Sequence, residues 1–222
     1  MTYHLAGDST VAACGPAEYP MSGWGAHLDP HVDAPVRNLA FGGATTQTFF
    51  EQKWDELIGG VGEGDTVVIQ FGHNDQKILE LDSRGGYTEN LRRMVAETHE
   101  RGAVAVLCTS CERRWFIGEK VEPTHGDYPN AVRDLAHELD APLIDLTVFT
   151  TWLYEDAGSE GSIAYLTHLE PGTHEKWPDG LQDNTHFHER GAQKIAAFVG
   201  RSLRAIERKD GDQRAKGSPK VA

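Results

Sequence analysis

Apolar positions along this chain follow two rhythms. Short, nearly continuous runs at Tyr3–Ala6, Val36–Leu39, Thr66–Phe71, Val104–Cys108 and Pro142–Asp145 have the length of buried strands. Between them the spacing widens to the helical period. Phe50, Trp54, Leu57 and Ile58 fall on one face, as do Tyr87, Leu91, Met94 and Val95, and then Val132, Leu135, Ala136 and Leu139. A last stripe of Ala192, Ile195, Ala196, Val199, Leu203 and Ile206 predicts a C-terminal helix. Such alternation predicts a parallel sheet with helices on both faces. Five strands in one unit predict a flavodoxin-like α/β fold, a three-layer α/β/α sandwich whose ligands sit beyond the carboxyl ends of the strands.

That geometry makes the residues just after each strand the place to look. They are Gly7-Asp8-Ser9-Thr10, Gly42-Gly43-Ala44-Thr45, Gly72-His73-Asn74-Asp75 and Glu112-Arg113-Arg114-Trp115, with Asp183-Asn184-Thr185-His186 just before the last helix. A serine nucleophile needs a base, a group that orients the base, and donors for the oxyanion. Ser9 supplies a hydroxyl on a turn at the top of the sheet. Asp183 and His186 are three residues apart, so on a helical turn or tight loop their side chains share a face. The carboxylate then holds Nδ1–H of the ring and leaves Nε2 free as base. The N–H groups of Ser9 and Gly43 and the Asn74 amide are candidates for an oxyanion hole. Taken singly, each residue has a plainer role: Ser9 as a turn or N-cap residue, Asn74 as a cap, Gly42 and Gly43 as turn formers.

Together, Gly7-Asp8-Ser9, Gly43, Gly72-x-Asn74-Asp75 and Asp183-x-x-His186 resemble the SGNH, or GDSL, hydrolase superfamily. The stretches Gly7–Ala12, Tyr19–Gly25, Gln70–Gln76, Asp183–Phe187 and Gly191-Ala192 are more similar still to its rhamnogalacturonan acetylesterase branch. The resemblance covers residues 3 to 206. It implies a metal-free and cofactor-free serine esterase that deacetylates plant cell-wall carbohydrate. In it Ser9 is the nucleophile, His186 the base and Asp183 its orienting group, while Ser9, Gly43 and Asn74 form the oxyanion hole. A broad short-chain carboxylesterase is the alternative. One departure stands out: the family's Arg-Ser-Ser after the oxyanion glycine is Ala44-Thr45-Thr46 here. Arg113 and Arg114 are the local cations that could replace that arginine, and Trp24, Trp115 and Trp177 offer rings for stacking on sugars.

Composition narrows the partners. The 222 residues carry 34 acidic and 21 basic side chains, a formal charge of −13, with 8 lysines against 13 arginines. A duplex-binding protein needs the opposite sign, so nucleic acid is not expected as a partner. No apolar run reaches the roughly 18 residues of a membrane span. The chain opens on Met1-Thr2-Tyr3-His4 without a basic-then-apolar leader, which leads us to expect a cytoplasmic enzyme, or one from which a leader has been removed. The length suits one domain over residues 1–208, followed by a disordered polar tail over 209–222. Cys108 and Cys111 form a lone CxxC at the end of an apolar run, expected as reduced, buried thiols. Asp183, His186 and His188 could ligate zinc, but Ser9 and Asn74 would then be idle. A sugar-binding module without catalysis is a further alternative. Gly60-Val61-Gly62-Glu63-Gly64 precedes a strand and reads as a turn, not a phosphate loop.

Overall fold

The structure, a computed structural model, describes the backbone of residues 1–217 and, apart from Ala17, the side chains through Lys209. The strands in chain order are β1 (Tyr3–Gly7), β2 (Val36–Asn38), β3 (Thr66–Gln70), β4 (Val104–Cys108), β5 (Phe116–Ile117), β6 (Lys120–Val121), β7 (Leu143–Ile144), β8 (Leu166–Leu169) and β9 (Leu181–Phe187). Five of them form a parallel sheet in the order β2-β1-β3-β4-β7. This is the flavodoxin-like order expected from the five apolar runs. Helix α1 (Thr46–Phe49) continues through a π-helical turn at Phe50–Trp54 into α2 (Asp55–Ile58), and α3 (Gly86–Glu100), α4 (Tyr128–Glu138), α5 (Leu146–Gly161) and α6 (Glu189–Gly217) follow.

Because successive strand residues point to opposite faces, the sheet splits the core in two. Val67, Ile69, Ala105 and Leu107 face a layer made by Leu57, Leu91, Met94, Val132 and Leu135 from α2, α3 and α4. Tyr3, Leu5, Val68 and Val106 face the opposite layer, with Leu153, Tyr154, Ile195 and Val199 from α5 and α6. Burying each such side chain contributes about 1.5–3 kcal/mol. The carboxyl edges of β1, β3 and β4 are thereby held in a rigid frame, which fixes the turns that leave them.

Three elements were not apparent in the hydrophobic pattern. Helix α5 buries Leu146, Thr150, Leu153 and Tyr154. Its period is disguised because one of the four is a threonine, whose hydroxyl donates to the Leu146 carbonyl and accepts from the Glu112 N–H. The other two are small antiparallel ribbons, β5–β6 and β8–β9, with strands of two to seven residues. Helix α6 runs past position 208, where the polar tail was expected to begin, as far as Gly217. Residues 218–222 of that tail lie outside the described residues. Cys108 and Cys111 are buried free thiols, and Cys14 is half-buried and free. No helix among the described residues is long and apolar enough to cross a membrane.

Candidate active site

Three turns meet at the carboxyl ends of β1, β2 and β3. The first follows Gly7, which no larger residue could replace without moving the turn: a Cβ there would lie 2.4 Å from Val11 Cγ2 and 2.9 Å from the Gln70 carbonyl. The Asp8 carboxylate bends the chain after it, Oδ1 accepting from the Thr10 N–H at 2.9 Å and from the Thr10 hydroxyl at 2.7 Å. Ser9 stands between them. The second turn brings Gly42 against Ser9, 4.0 Å from the serine Cβ to where a glycine Cβ would stand. Gly43 follows with φ +78° and open space beside it. Among the described residues, the N–H groups of Ser9 and Gly43 carry no hydrogen bond, as an oxyanion hole requires before substrate arrives.

The third turn holds Asn74. Its side chain caps no helix. Instead Nδ2 donates to the Ala44 carbonyl at 3.0 Å and Oδ1 accepts from Lys77 Nζ at 2.9 Å. The two contacts fix which way the amide points and leave the second Nδ2 hydrogen for a ligand. Ala44, Thr45 and Thr46, which replace the family's Arg-Ser-Ser, are all buried. Thr45 caps α1 and Thr46 donates twice to Asp75. This segment therefore starts a helix and presents no cation.

The base arrives from the opposite side on β9. Asp183 and His186 lie on neither a helix nor an ordinary strand. Between the pairs Leu166↔Phe187 and His168↔Gln182, Thr167 alone on β8 faces residues 183–186 of β9, so β9 loops outward there. Asp183 Oδ1 closes the loop by accepting the N–H groups of Thr185 (2.7 Å) and His186 (2.8 Å). Its Oδ2 accepts from His186 Nδ1 at 2.7 Å, and Nε2 lies 3.0 Å from Ser9 Oγ. With the Nδ1 proton held by a carboxylate, Nε2 is the free lone pair and accepts from the serine hydroxyl. The hydrogen bond that His186 donates to Asp183 raises the His186 pKa above its ordinary value. Burial opposes the rise, the Asp8 charge adds to it and Lys77 works against it. Burial pushes the Asp183 carboxyl up, but the His186 and backbone bonds prevail and hold it below the usual range. Both ring nitrogens of His186 are thus spent on protein partners, which disfavours the zinc arrangement with Asp183 and His188.

Of the five residues expected to touch substrate, Trp115 is exposed, and the other four separate into different roles. Trp24 is fully buried, and its Nε1 donates to Gln70 at 2.7 Å. Its flanking glycines explain the inward position, since a Cβ on Gly23 or Gly25 would lie 2.5 or 2.4 Å from the backbone of the Val11–Ala12 segment. Trp24 therefore supports the nucleophile turn from below and cannot stack on a sugar. Arg114 is likewise no free cation. It donates to Ser162 Oγ, to Asn184 Oδ1 and to the Ser159 carbonyl, while its N–H binds the Asn184 carbonyl, so it braces the β9 loop. Arg113 is half-buried at the rim, 3.4 Å from the His73 carbonyl and from Thr124, with the charges of Glu112, Asp8 and Asp183 near it. Trp177 is half-buried on the β8–β9 loop, 4.7 Å from the His174 ring, which in turn stacks on exposed Tyr19.

Sequence reasoning missed Asp8, His73, Gln70 and Lys77 as parts of the site. The signal was present for two of them: ionisable residues directly before Ser9 and Asn74, at the ends of apolar strands. Gln70 bridges Thr10 and Trp24 beneath the nucleophile.

Fold and geometry together define an α/β protein with a serine–histidine–aspartate chain at the carboxyl edge of its sheet. The GDSL-like lipase/acylhydrolase family profile matches residues 5–194, and the chain belongs to that family. It is 40% identical over 206 residues to the rhamnogalacturonan acetylesterase RhgT of Bacillus subtilis strain 168, covering 91% of this chain and 89% of that one. The crystal structure of Bacillus subtilis YxiM superposes with a TM-score of 0.78 at 25% identity, over 93% of this chain and 56% of the other. An acetylxylan esterase from Geobacillus stearothermophilus shares the fold, with a TM-score of 0.61 at 16% identity over 91% and 93% of the two chains.

Proposed function

We propose that this protein is a serine esterase that removes O-acetyl groups from carbohydrate, with acetylated rhamnogalacturonan as its substrate class. The observation that carries the reading is the unbroken Ser9–His186–Asp183 chain, with contacts of 3.0 and 2.7 Å. Ser9 Oγ attacks the acetyl carbonyl as His186 Nε2 takes its proton. The oxyanion forms against the N–H groups of Ser9 and Gly43 and the Asn74 amide. His186 then gives its proton to the departing sugar oxygen. Water, deprotonated by the same nitrogen, attacks the acetyl-enzyme, and acetate leaves as Ser9 recovers its proton.

Two observations support carbohydrate over a lipid ester. The 40% identical relative is named for rhamnogalacturonan. Tyr19, His174 and Trp177 form a line of rings, Tyr19 exposed and the other two partly exposed. Aromatic faces of this kind suit pyranose rings. Acetate release should be measured on acetylated rhamnogalacturonan, acetylxylan and p-nitrophenyl acetate, with Ser9→Ala as the blank. Release fastest from the pectic substrate and abolished in the blank is expected. Equal rates on all three would indicate a broad carboxylesterase, and release unaffected by Ser9→Ala would refute the serine mechanism.

A further inference from the structure

Beneath the proposed catalytic groups lies a buried pair that the serine mechanism does not use. Asp8 and His73 stand immediately before Ser9 and Asn74, on turns leaving the paired strands β1 and β3. Their side chains are 0% and 4% exposed, and Asp8 Oδ2 lies 3.3 Å from His73 Nδ1. Neither atom makes a hydrogen bond, and the two stand at ion-pair distance. The other carboxylate oxygen is committed to Thr10, which shapes the Ser9 turn. The other face of the pair is closed as well. The His73 ring meets the His125 ring edge-on at 4.5 Å, and His125 Nε2 lies 2.9 Å from the Cys111 carbonyl. Burial and the neighbouring His73 and Arg113 push the His125 pKa down to about 2, so this second ring stays neutral.

We infer that the Asp8–His73 pair is a clamp that sets the spacing between nucleophile and oxyanion hole and neutralises a carboxylate that would otherwise oppose the oxyanion. The inference rests on Ser9 and Asn74 having the roles proposed above. The charge that needs neutralising is visible in its neighbours: the Asp8 carboxylate raises the pKa values of both His186 and Asp75. Burial alone would push the Asp8 carboxyl up, yet His73 and the two Thr10 bonds hold it below the ordinary range. It is therefore an anion inside the protein, directly under the place where a second negative charge develops. An isolated buried charge is costly and a paired one much less so. Asp8 and His73 are positioning residues, since neither reaches the reacting atoms.

The test is a double-mutant cycle with Asp8→Asn, His73→Gln and both together, assayed on p-nitrophenyl acetate. Asp8→Asn keeps the shape and the acceptor for Thr10 while removing the charge, so it should fold. Its kcat should fall about tenfold to a hundredfold with KM nearly unchanged, because turn spacing is disturbed and binding is not. The acidic limb of its kcat/KM profile should move to lower pH. Asp8 is one of the charges that raise the His186 pKa, and the substitution removes it. His73→Gln strands the Asp8 charge and should be the least stable of the three, and the double variant should regain stability and lose no more kcat than the worse single. Losses that multiply, or an Asp8→Asn enzyme with wild-type kcat and an unmoved pH profile, would overturn the clamp. Fluorophosphonate labelling of the wild type separates this failure from that of the serine mechanism: a wild type not labelled at Ser9 refutes the mechanism itself.

Discussion

The two sides of the site are built differently. Ser9, Gly43 and Asn74 stand on turns that leave strands of the five-stranded sheet, above fully buried side chains such as Asp8, Gln70 and Trp24. Asp183 and His186 stand on an outward loop of a two-stranded ribbon appended to that sheet, and the His186 side chain is 33% exposed. The ends of both ribbon strands sit in the core through Leu166 and Phe187. Around the loop itself the ties include the Arg114 bonds to Asn184, the Ser22 N–H on the Phe187 carbonyl, and a bridge between Met21 and His188. The nucleophile side is thus positioned by the core itself, and the base is delivered by a brace. Changes on the first side should act on chemistry and folding together. Changes on the second should uncouple the base while the sheet stays intact.

The largest effect should come from the atom both sides share. Ser9→Ala should lower kcat for an acetyl ester by about 10⁴-fold or more while the thermal transition stays close to wild type. On the core side, Asn74→Ala removes one oxyanion donor and should cost about 10²–10³ in kcat, read in the same assay. On the ribbon side, Arg114→Ala removes hydrogen bonds worth about 1 kcal/mol each. Its kcat should drop about tenfold, and with three such bonds lost its Tm should fall by about 6–12 °C. A larger loss of Tm than of activity would mean that Arg114 supports the core and not the ribbon.

Two pH measurements sharpen the contrast. On the ribbon, His186 must be neutral to accept the serine proton. Its pKa is raised above the ordinary 6.5, chiefly by Asp183. Activity should therefore be lost at acid pH and rise through a midpoint above about 6.5. Asp183→Asn should move that midpoint down as well as lowering the plateau. On the core side, Asp75 is raised by burial to about 6. A carboxyl with pKa about 6 folded and near 3.9 unfolded stabilises the fold most fully below pH 4, and that contribution is lost as pH rises through 6. Asp75→Asn should therefore gain stability relative to wild type between pH 5 and pH 8, a shift of a few degrees in Tm at most.

The same contrast explains what could be read from the chain. Strand-end turns are local: Gly7-Asp8-Ser9 and Gly72-His73-Asn74 each follow an apolar run directly, so their place at the sheet edge follows from strand order alone. The ribbon is a hairpin whose strands are separated by the connection 170–180, and the approach of His186 to Asp183 depends on a loop that one facing residue, Thr167, defines. The i, i+3 spacing announced their contact but not its scaffold. The two failures among the substrate candidates have the same origin. Trp24 turns inward because two glycines let its backbone press on residues 11 and 12, and Arg114 is spent on partners more than forty positions away. The flanking glycines are a local trace of the first, and the second has none. The Asp8–His73 clamp joins two turns that were both legible separately, and only their adjacency in the sheet makes them a pair.

The most direct measurement is the site of covalent modification. Wild-type protein treated with a fluorophosphonate, digested and analysed by mass spectrometry should carry one adduct per chain, on the peptide containing Ser9, with acetyl-ester hydrolysis lost in proportion to labelling. Ser9→Ala should take up no adduct. Activity that persists with Ser9 fully modified, or that disappears while the adduct sits on another residue, would contradict the account.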